Sequence, residues 1–341
     1  MKLDIILEKR NSIYIIAEIG GNFITYKEAI KLIDAAKESG VDCVKLQTYK
    51  AENISSKTAF FDMENTGKIS QYEYFKKYEI SEELHKKIIN YIKSKDLDWF
   101  STPSHPEDLD MLVKLGMEAI KLGADDATNI PFIKYCAKTG LPIVLSTGMC
   151  TLDEVKEAVE TILSQGNKKI VLLHCISGYP TYPEQVNLNV INTYKKEFPD
   201  LLIGFSDHTL TPLTCIAAAV MGANVVERHF TLDKKAEGPD HMISATPDEM
   251  KYIVDSIRTV EIMKGSEVKI PYGVEVQNRI NNRKSIVAIK NIKKGELFSS
   301  DNIYMKRPGT GIEPKYYEQI LGKIAHKDIE ADEILQWSDF S

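Results

Sequence analysis

Apolar positions along the chain follow two alternating rhythms. Eight short runs rich in β-branched residues recur: "IYIIAEIG" from Ile13, "DCVKLQTY" from Asp42, "DWFSTP" from Asp98, "MEAIKLG" from Met117, "LPIVLSTG" from Leu141, "KIVLLHCIS" from Lys169, "LLIGFSDH" from Leu201 and "ANVVERHF" from Ala223. Between them lie segments such as "TYKEAIKLIDAAKESG" and "TLDEVKEAVETILSQG", with apolar residues three and four apart and a glycine at the end. The first rhythm predicts strands, and the second predicts helices closed by a C-terminal glycine. Eight strands alternating with helices predict an α/β fold with a parallel sheet, closed as a (β/α)8 TIM barrel. One connection, Lys50 to Ser81, is long, polar and aromatic; a loop of that length is expected to act as a lid.

Most of the predicted strands carry a polar residue near the carboxyl end. These are Glu18, Lys45 with Gln47, Thr102, Lys121, Ser146, His174, Ser206 with His208, and Glu227 with His229. Strand side chains alternate, so Lys45 and Gln47 share a face, as do Ser206 and His208, and Glu227 and His229. If those faces point inward, the groups converge at the end of the barrel where such folds hold their sites. Arg228 and Phe230 fall on the opposite face.

The barrel pattern ends with "PDEMKYIVDSIRTVEIMKG" and lapses through "SEVKIPYGVEVQNRINN". We therefore place the barrel at residues 1–265, a linker at 266–283 and a small β-rich domain at 284–341. Inside that last segment, "AIKNIKKGELF" from Ala288 and "AHKDIEADEIL" from Ala325 match at one offset, which predicts two related halves.

Composition narrows the setting. A net charge of -6 with no basic stripe argues against nucleic-acid binding. No uninterrupted apolar run of about 18 residues is present, so no membrane span is expected. The opening "MKLDIILEKRN" carries Asp4 and Glu8 inside its apolar part and lacks a secretory core. The five cysteines form no C-x-x-C pair and read as reduced thiols of a cytoplasmic protein.

The polar tips suggest chemistry, each with a plainer alternative. His208 and His229 suit a divalent metal, or are two satisfied core histidines. Lys45 and Lys121, with Thr102, Ser146, Ser177 and Ser206, suit a phosphate and carboxylate pocket; structural ion pairs or a Schiff-base lysine are the alternatives. Glu18, Asp126 and Glu227 are candidate acid/base carboxylates. Asp125 and Asp126 also precede a helix and fit as caps. Asp240 is a turn residue or a ligand for hydroxyls, and His241 reads as exposed. No nucleotide loop or serine-hydrolase elbow occurs.

Taken together, "AEIGGN" from Ala17, "VKLQT" from Val44, "FSTP" from Phe100, "LSTGM" from Leu145, "LLHC" from Leu172, "SDHT" from Ser206 and "RHFTLDK…GPDH" resemble the sialic acid synthase family. The tail with "NIKKGELFSSDNIYMKRPGTGI" is similar to its C-terminal antifreeze-like (SAF) domain. The resemblance implies condensation of phosphoenolpyruvate with an N-acylated mannosamine-type sugar, giving a nine-carbon 2-keto-3-deoxy acid of the N-acetylneuraminate or legionaminate type and phosphate. It implies Mn²⁺ or Mg²⁺ on His208 and His229. It places phosphoenolpyruvate on Lys45, Thr102, Lys121, Ser146, Ser177 and Ser206, and the sugar near Gln47, Tyr179, Glu227 and Asp240. Glu18, Lys45, Lys121 and Glu227 would carry the catalysis. Arg307 would reach the partner's barrel in a domain-swapped homodimer. Two motifs differ from the family pattern: Gly123-Ala124-Asp125-Asp126 replaces G-S-G-E, and Ser177 stands where asparagine is usual. The competing readings are another phosphoenolpyruvate- or pyruvate-using barrel aldolase, and a non-catalytic sugar-binding protein.

Overall fold

The computed structural model describes residues 12–63 and 67–341; the segment read as lacking a secretory core lies outside them. The first half of the larger unit runs β1 (Tyr14–Glu18), α1 (Tyr26–Glu38), β2 (Cys43–Thr48), α2 (Ala51–Ile54), β3 (Phe60–Met63), β4 (Gly67–Ser70), α3 (Gln71–Tyr78), α4 (Glu82–Ser94), β5 (Asp98–Pro103) and α5 (Pro106–Lys114). It continues through β6 (Ile120–Leu122), α6 (Ile130–Ala137), β7 (Ile143–Ser146), α7 (Leu152–Ser164), β8 (Ile170–Cys175), α8 (Val190–Glu197), β9 (Leu202–Asp207), α9 (Leu213–Val220), β10 (Val225–His229) and α10 (Pro247–Lys264). Three of these helices begin on a Thr-x-x-Glu capping box. Thr25, Thr151 and Thr246 accept from the backbone N–H of Glu28, Glu154 and Glu249, whose carboxylates accept back from the cap residue. The boxes fix where α1, α7 and α10 start, and so how long the loops above the barrel can be.

Eight strands close a parallel barrel in the order β1-β10-β9-β8-β7-β6-β5-β2. Each apolar run identified in the sequence supplies one of them, although the run from Met117 yields only the three residues of β6. Register places Glu18 beside both His229 and Lys45, Glu227 beside Ser206, and Gln47 beside Thr102. Groups from five strands therefore stand at adjoining levels of one interior.

The same register corrects one reading. Ser206 pairs with Cys175, so Cys175 shares its inward face and His174 points outward. His174 is hydrogen-bonded to the Val186 carbonyl at 2.7 Å and packs against Phe205. The run Ile170–Cys175 is buried throughout, and an unbroken apolar strand carries no phase of its own.

On the outer face of β9 and β10, Arg228 and Asp207 form a buried ion pair. Arg228 also donates to the carbonyls of Thr209 (2.7 Å), Thr211 (3.0 Å) and Ile243 (3.3 Å). Asp207 accepts from Thr209 N–H (2.9 Å) and Thr214 Oγ1 (2.6 Å). The pair ties the loop after His208 to the segment after Asp240.

The connection from Lys50 to Ser81 is built, not open. It holds α2, the β3–β4 hairpin and α3. Its aromatic rings pack edge to face, with centroids 5.0 Å apart for Tyr49–Phe75 and 5.6 Å for Phe61–Tyr74.

The chain divides after Gly265. The second unit contains α11 (Glu275–Asn282), β11 (Ser285–Ala288), β12 (Ile303–Lys306) and α12 (Tyr317–Ile320), around a core that includes Ile286, Ile292, Phe298 and Leu335. The two matching segments pair with each other. Ile292 and Ile329 exchange both backbone hydrogen bonds, Ala288 N–H donates to Glu333, and Ala325 N–H donates to Glu296. Gly295 and Asp332, equivalent by the same offset, both adopt positive φ (87° and 70°).

Candidate active site

A cavity of about 480 Å³ opens at the carboxyl end of the barrel. Its floor is charged and almost dry. Lys45 contacts the Glu18 carboxylate and donates to Thr102 Oγ1 at 3.2 Å. Lys121 donates to Ser146 Oγ at 2.7 Å. Glu227 lies between the two ammoniums, with Oε1 at 3.8 Å from Lys45 and 3.7 Å from Lys121, and accepts from Ser206 Oγ at 3.2 Å. Its other oxygen, Oε2, is buried with no hydrogen-bond partner among the described residues.

Burial lowers Lys45 to about 8, with Lys121 acting the same way and Glu227 opposing. It is still an ammonium at neutral pH, and contact with Glu18 favours that form. Burial alone would raise Glu227, but Lys121, Lys45 and the Ser206 hydrogen bond outweigh it and hold the carboxyl below its usual value. Such a floor can hold an anion: ammoniums and hydroxyls surround it at low dielectric, where charge–charge attraction is strong.

Above the floor stand two imidazoles with ring centroids 5.4 Å apart. His208 Nδ1 lies 2.8 Å from the Ile176 carbonyl, which fixes the Nδ1–H tautomer and leaves Nε2 as a lone-pair donor facing Tyr179 Oη at 3.3 Å. His229 Nδ1 is buried without a hydrogen-bond partner among the described residues, 3.8 Å from Asp240 Oδ2. Burial lowers both histidines, so both are neutral. Neutral rings, one with a fixed tautomer and one with an unused nitrogen, fit a divalent cation. Among the described residues no group of three or more His, Cys, Asp or Glu is placed to hold a metal ion, which leaves the two imidazoles as the candidate donors.

Asp240 closes one side. Burial raises its carboxyl to about 7, against the pull of Lys45. Gly21 leaves room for it, since a Cβ there would lie 3.3 Å from Asp240 Oδ2. A Cβ on Gly20 would lie 2.5 Å from the Gln47 backbone nitrogen, and Gly21, at φ +78°, turns the chain away below Asp240. The wall nearest solvent is aromatic: Tyr49, Phe61, Tyr74 and Phe75 line it. Helix α3 is latched to the loop after β10 by Tyr78 Oη to the Glu237 carbonyl (2.9 Å) and Lys77 to the Glu237 carboxylate (2.7 Å).

The structure thus brings Glu18, Lys45, Gln47, Thr102, Lys121, Ser146, Ser177, Tyr179, Ser206, His208, Glu227, His229 and Asp240 to one cavity. Arg307 belongs to the second unit, where it follows β12 and is exposed. Three readings are corrected. Asp126 is not among the residues lining the cavity; its carboxylate accepts from Asn129 Nδ2, the side chain that caps α6, at 2.8 Å, while Asp125 lines the cavity. His241 is buried, not exposed, and bonds Thr231 Oγ1 through Nδ1 at 2.7 Å. His174 lies outside. The aromatic wall and Cys175 were not singled out from the sequence.

These groups define a class: a (β/α)8 barrel whose carboxyl-end cavity combines a buried anion floor with two metal-ready imidazoles. The match to known families is specific. The NeuB family model matches residues 32–269 and the SAF domain model matches residues 283–341, and the chain belongs to the NeuB family. An uncharacterized protein of Methanocaldococcus jannaschii is 44% identical over 330 residues, covering 96% of this chain and 94% of its own. The N,N'-diacetyllegionaminic acid synthase of Legionella pneumophila is 40% identical over 333 residues, covering 95% and 93%. Among solved structures, the N-acetylneuraminic acid synthetase of Leptospira borgpetersenii, in complex with citrate, aligns with TM-score 0.72 at 28% identity, covering 79% of this chain and 90% of that one.

Proposed function

We propose that this chain condenses phosphoenolpyruvate with an unphosphorylated, N-acylated mannosamine-type sugar. The products are inorganic phosphate and a nine-carbon 2-keto-3-deoxy acid of the legionaminate type. The observation that carries the reading is the floor: two buried ammoniums with Glu227 between them, ringed by Thr102, Ser146 and Ser206. Phosphoenolpyruvate carries a phosphate and a carboxylate on adjacent carbons, and two ammoniums with intervening hydroxyls match that pair. The Legionella relative, which makes diacetyllegionaminic acid, favours an acceptor with acylamino groups. An acceptor without phosphate is supported by the cavity lining, where both lysines among the described residues, Lys45 and Lys121, are in the floor and the wall is aromatic.

In the reaction, carbon 3 of phosphoenolpyruvate forms a bond to the aldehyde carbon of the open-chain sugar, and positive character appears at carbon 2. Water adds there, one of its protons ending on the former aldehyde oxygen as a hydroxyl, and the resulting tetrahedral centre expels phosphate, which takes the remaining proton as the ketone forms. Lys45 and Lys121 hold the phosphate and carboxylate throughout, in a site that excludes bulk water. Glu227, paired to both ammoniums, stabilises positive charge at carbon 2 and presents Oε2 as the proton acceptor for the adding water. Glu18 orients Lys45. His208 and His229 would hold a divalent cation, which would supply Lewis-acid polarisation of the acceptor carbonyl. Asp240, Gln47 and Tyr179 orient the sugar.

Arg307 completes the acceptor site from a partner subunit in a domain-swapped homodimer, and the enzyme works in the cytoplasm; both belong to this proposal. The test is phosphate release from phosphoenolpyruvate with N-acetylmannosamine, its 6-phosphate and 2,4-diacetamido-2,4,6-trideoxymannose. Release with the diacetamido sugar is expected. Consumption of the substrates without phosphate release would overturn the reading, and borohydride trapping of a lysine adduct would support an aldolase instead.

A further inference from the structure

Tyr74 presents a group that the proposed chemistry leaves unused. Its hydroxyl is buried and has no hydrogen-bond partner among the described residues, yet the residue lines the catalytic cavity. A buried hydroxyl left unpaired is unfavourable, so its position calls for a ligand.

The missing partner has a definite place. A methyl carbon built on Gly21 would lie 3.3 Å from Asp240 Oδ2, 3.5 Å from Tyr74 Oη and 3.7 Å from Gln47 Oε1. Three polar atoms from α3, β2 and the loop after β10 therefore face one small space, kept open by a glycine. Tyr74 can donate, and Gln47 Oε1 can only accept. That combination matches a secondary amide, which offers one carbonyl oxygen and one N–H a short distance apart. The rings of Phe61 and Phe75 stand 5.6 and 5.7 Å from that of Tyr74 and give an apolar surface for an acyl methyl.

We infer that the space beside Gly21 is a subsite for one acylamino group of the acceptor, and that Tyr74 is the specificity-determining residue there. This rests on the proposed condensation. A phosphate or a charged amine is a poorer occupant: the first meets the acceptor oxygens of Asp240 and Gln47, and the second cannot accept from Tyr74.

The test compares the wild type with Tyr74→Phe, which keeps the ring and its packing and removes one oxygen. With 2,4-diacetamido-2,4,6-trideoxymannose, kcat/KM for the acceptor should fall about tenfold, mostly through KM, while KM for phosphoenolpyruvate changes less than about twofold. Analogues with each acylamino group replaced in turn by hydrogen locate the contact. For one of them the two proteins should perform alike, because the partner is already gone. Equal acceptor KM values in the two proteins would overturn the inference, as would a parallel rise in KM for phosphoenolpyruvate or a ratio that no analogue alters. Failure of the wild type to release phosphate with any acceptor would instead defeat the proposed condensation.

Discussion

Asp207→Asn is the substitution with the largest calculable effect outside the cavity. Arg228 is 2% exposed and Asp207 is fully buried. The asparagine keeps the size and, with its oxygen in the Oδ1 place, still accepts from Thr209 N–H; its amide nitrogen takes the Oδ2 place and no longer accepts from Thr214. What is lost is the counter-charge to a buried guanidinium, and breaking such a pair from one side costs about 3–5 kcal/mol. For a unit of this size, a urea dependence of roughly 2–3 kcal/mol per molar converts that into a midpoint lowered by about 1–2 M. The readout can be confined to the barrel. The chain has two tryptophans; Trp99 is buried in β5, whereas Trp337 lies in the second unit and is 55% exposed. Fluorescence-monitored urea unfolding in a Trp337→Phe background therefore reports on the barrel. The double variant Asp207→Asn/Arg228→Met should recover much of the loss, since it leaves no unpaired charge. A shift below about 0.3 M for Asp207→Asn, or no recovery in the double variant, would refute the account of the pair as mutually dependent charges.

Other outcomes follow from the cavity. Glu227→Gln should lower kcat at least 100-fold, read by phosphate release, and should also lower the melting temperature, because it leaves two buried ammoniums without their shared counter-charge. Lys121→Met should raise KM for phosphoenolpyruvate more than tenfold, with KM for the sugar nearly unaffected. Chelation should abolish turnover and Mn²⁺ should restore it, while His208→Ala should weaken Mn²⁺ binding measured by calorimetry at least 100-fold. Asp126 is raised to about 6 by burial, so its folded value exceeds its unfolded one. The sign is that of a raised acid: stability is greater below the unfolded value and is lost as pH rises through about 6. Asp126→Asn should remove about 1–2 kcal/mol of that dependence between pH 4 and 7, after allowance for its partial exposure.

The eight strands are legible because most are apolar runs with a polar residue near the carboxyl end, a signal independent of neighbours. Lys45, Gln47, Ser206, Glu227 and His229 can be assigned to a face for the same reason, since alternation with buried neighbours sets their phase. His174 cannot, because Ile170 to Cys175 is buried on both sides and only pairing with Ser206 decides the direction. Asp125 and Asp126 exchange roles because they lie in a short 3-10 turn, where neither period applies. The lid reads as a loop because α2, β3 and β4 are four residues each, too short to establish a rhythm. Its architecture comes from ring packing between residues distant in sequence.

The second unit behaves as a dimer written into one chain. Each of its matched segments supplies the backbone partners that the other lacks, so neither is a folding intermediate by itself. Severing the unit between them should give fragments that are unstructured alone and associate when mixed. A substitution at Ala288 and its counterpart at Ala325 should be felt alike. Such a body is expected to melt in one cooperative step, each half lost with the other.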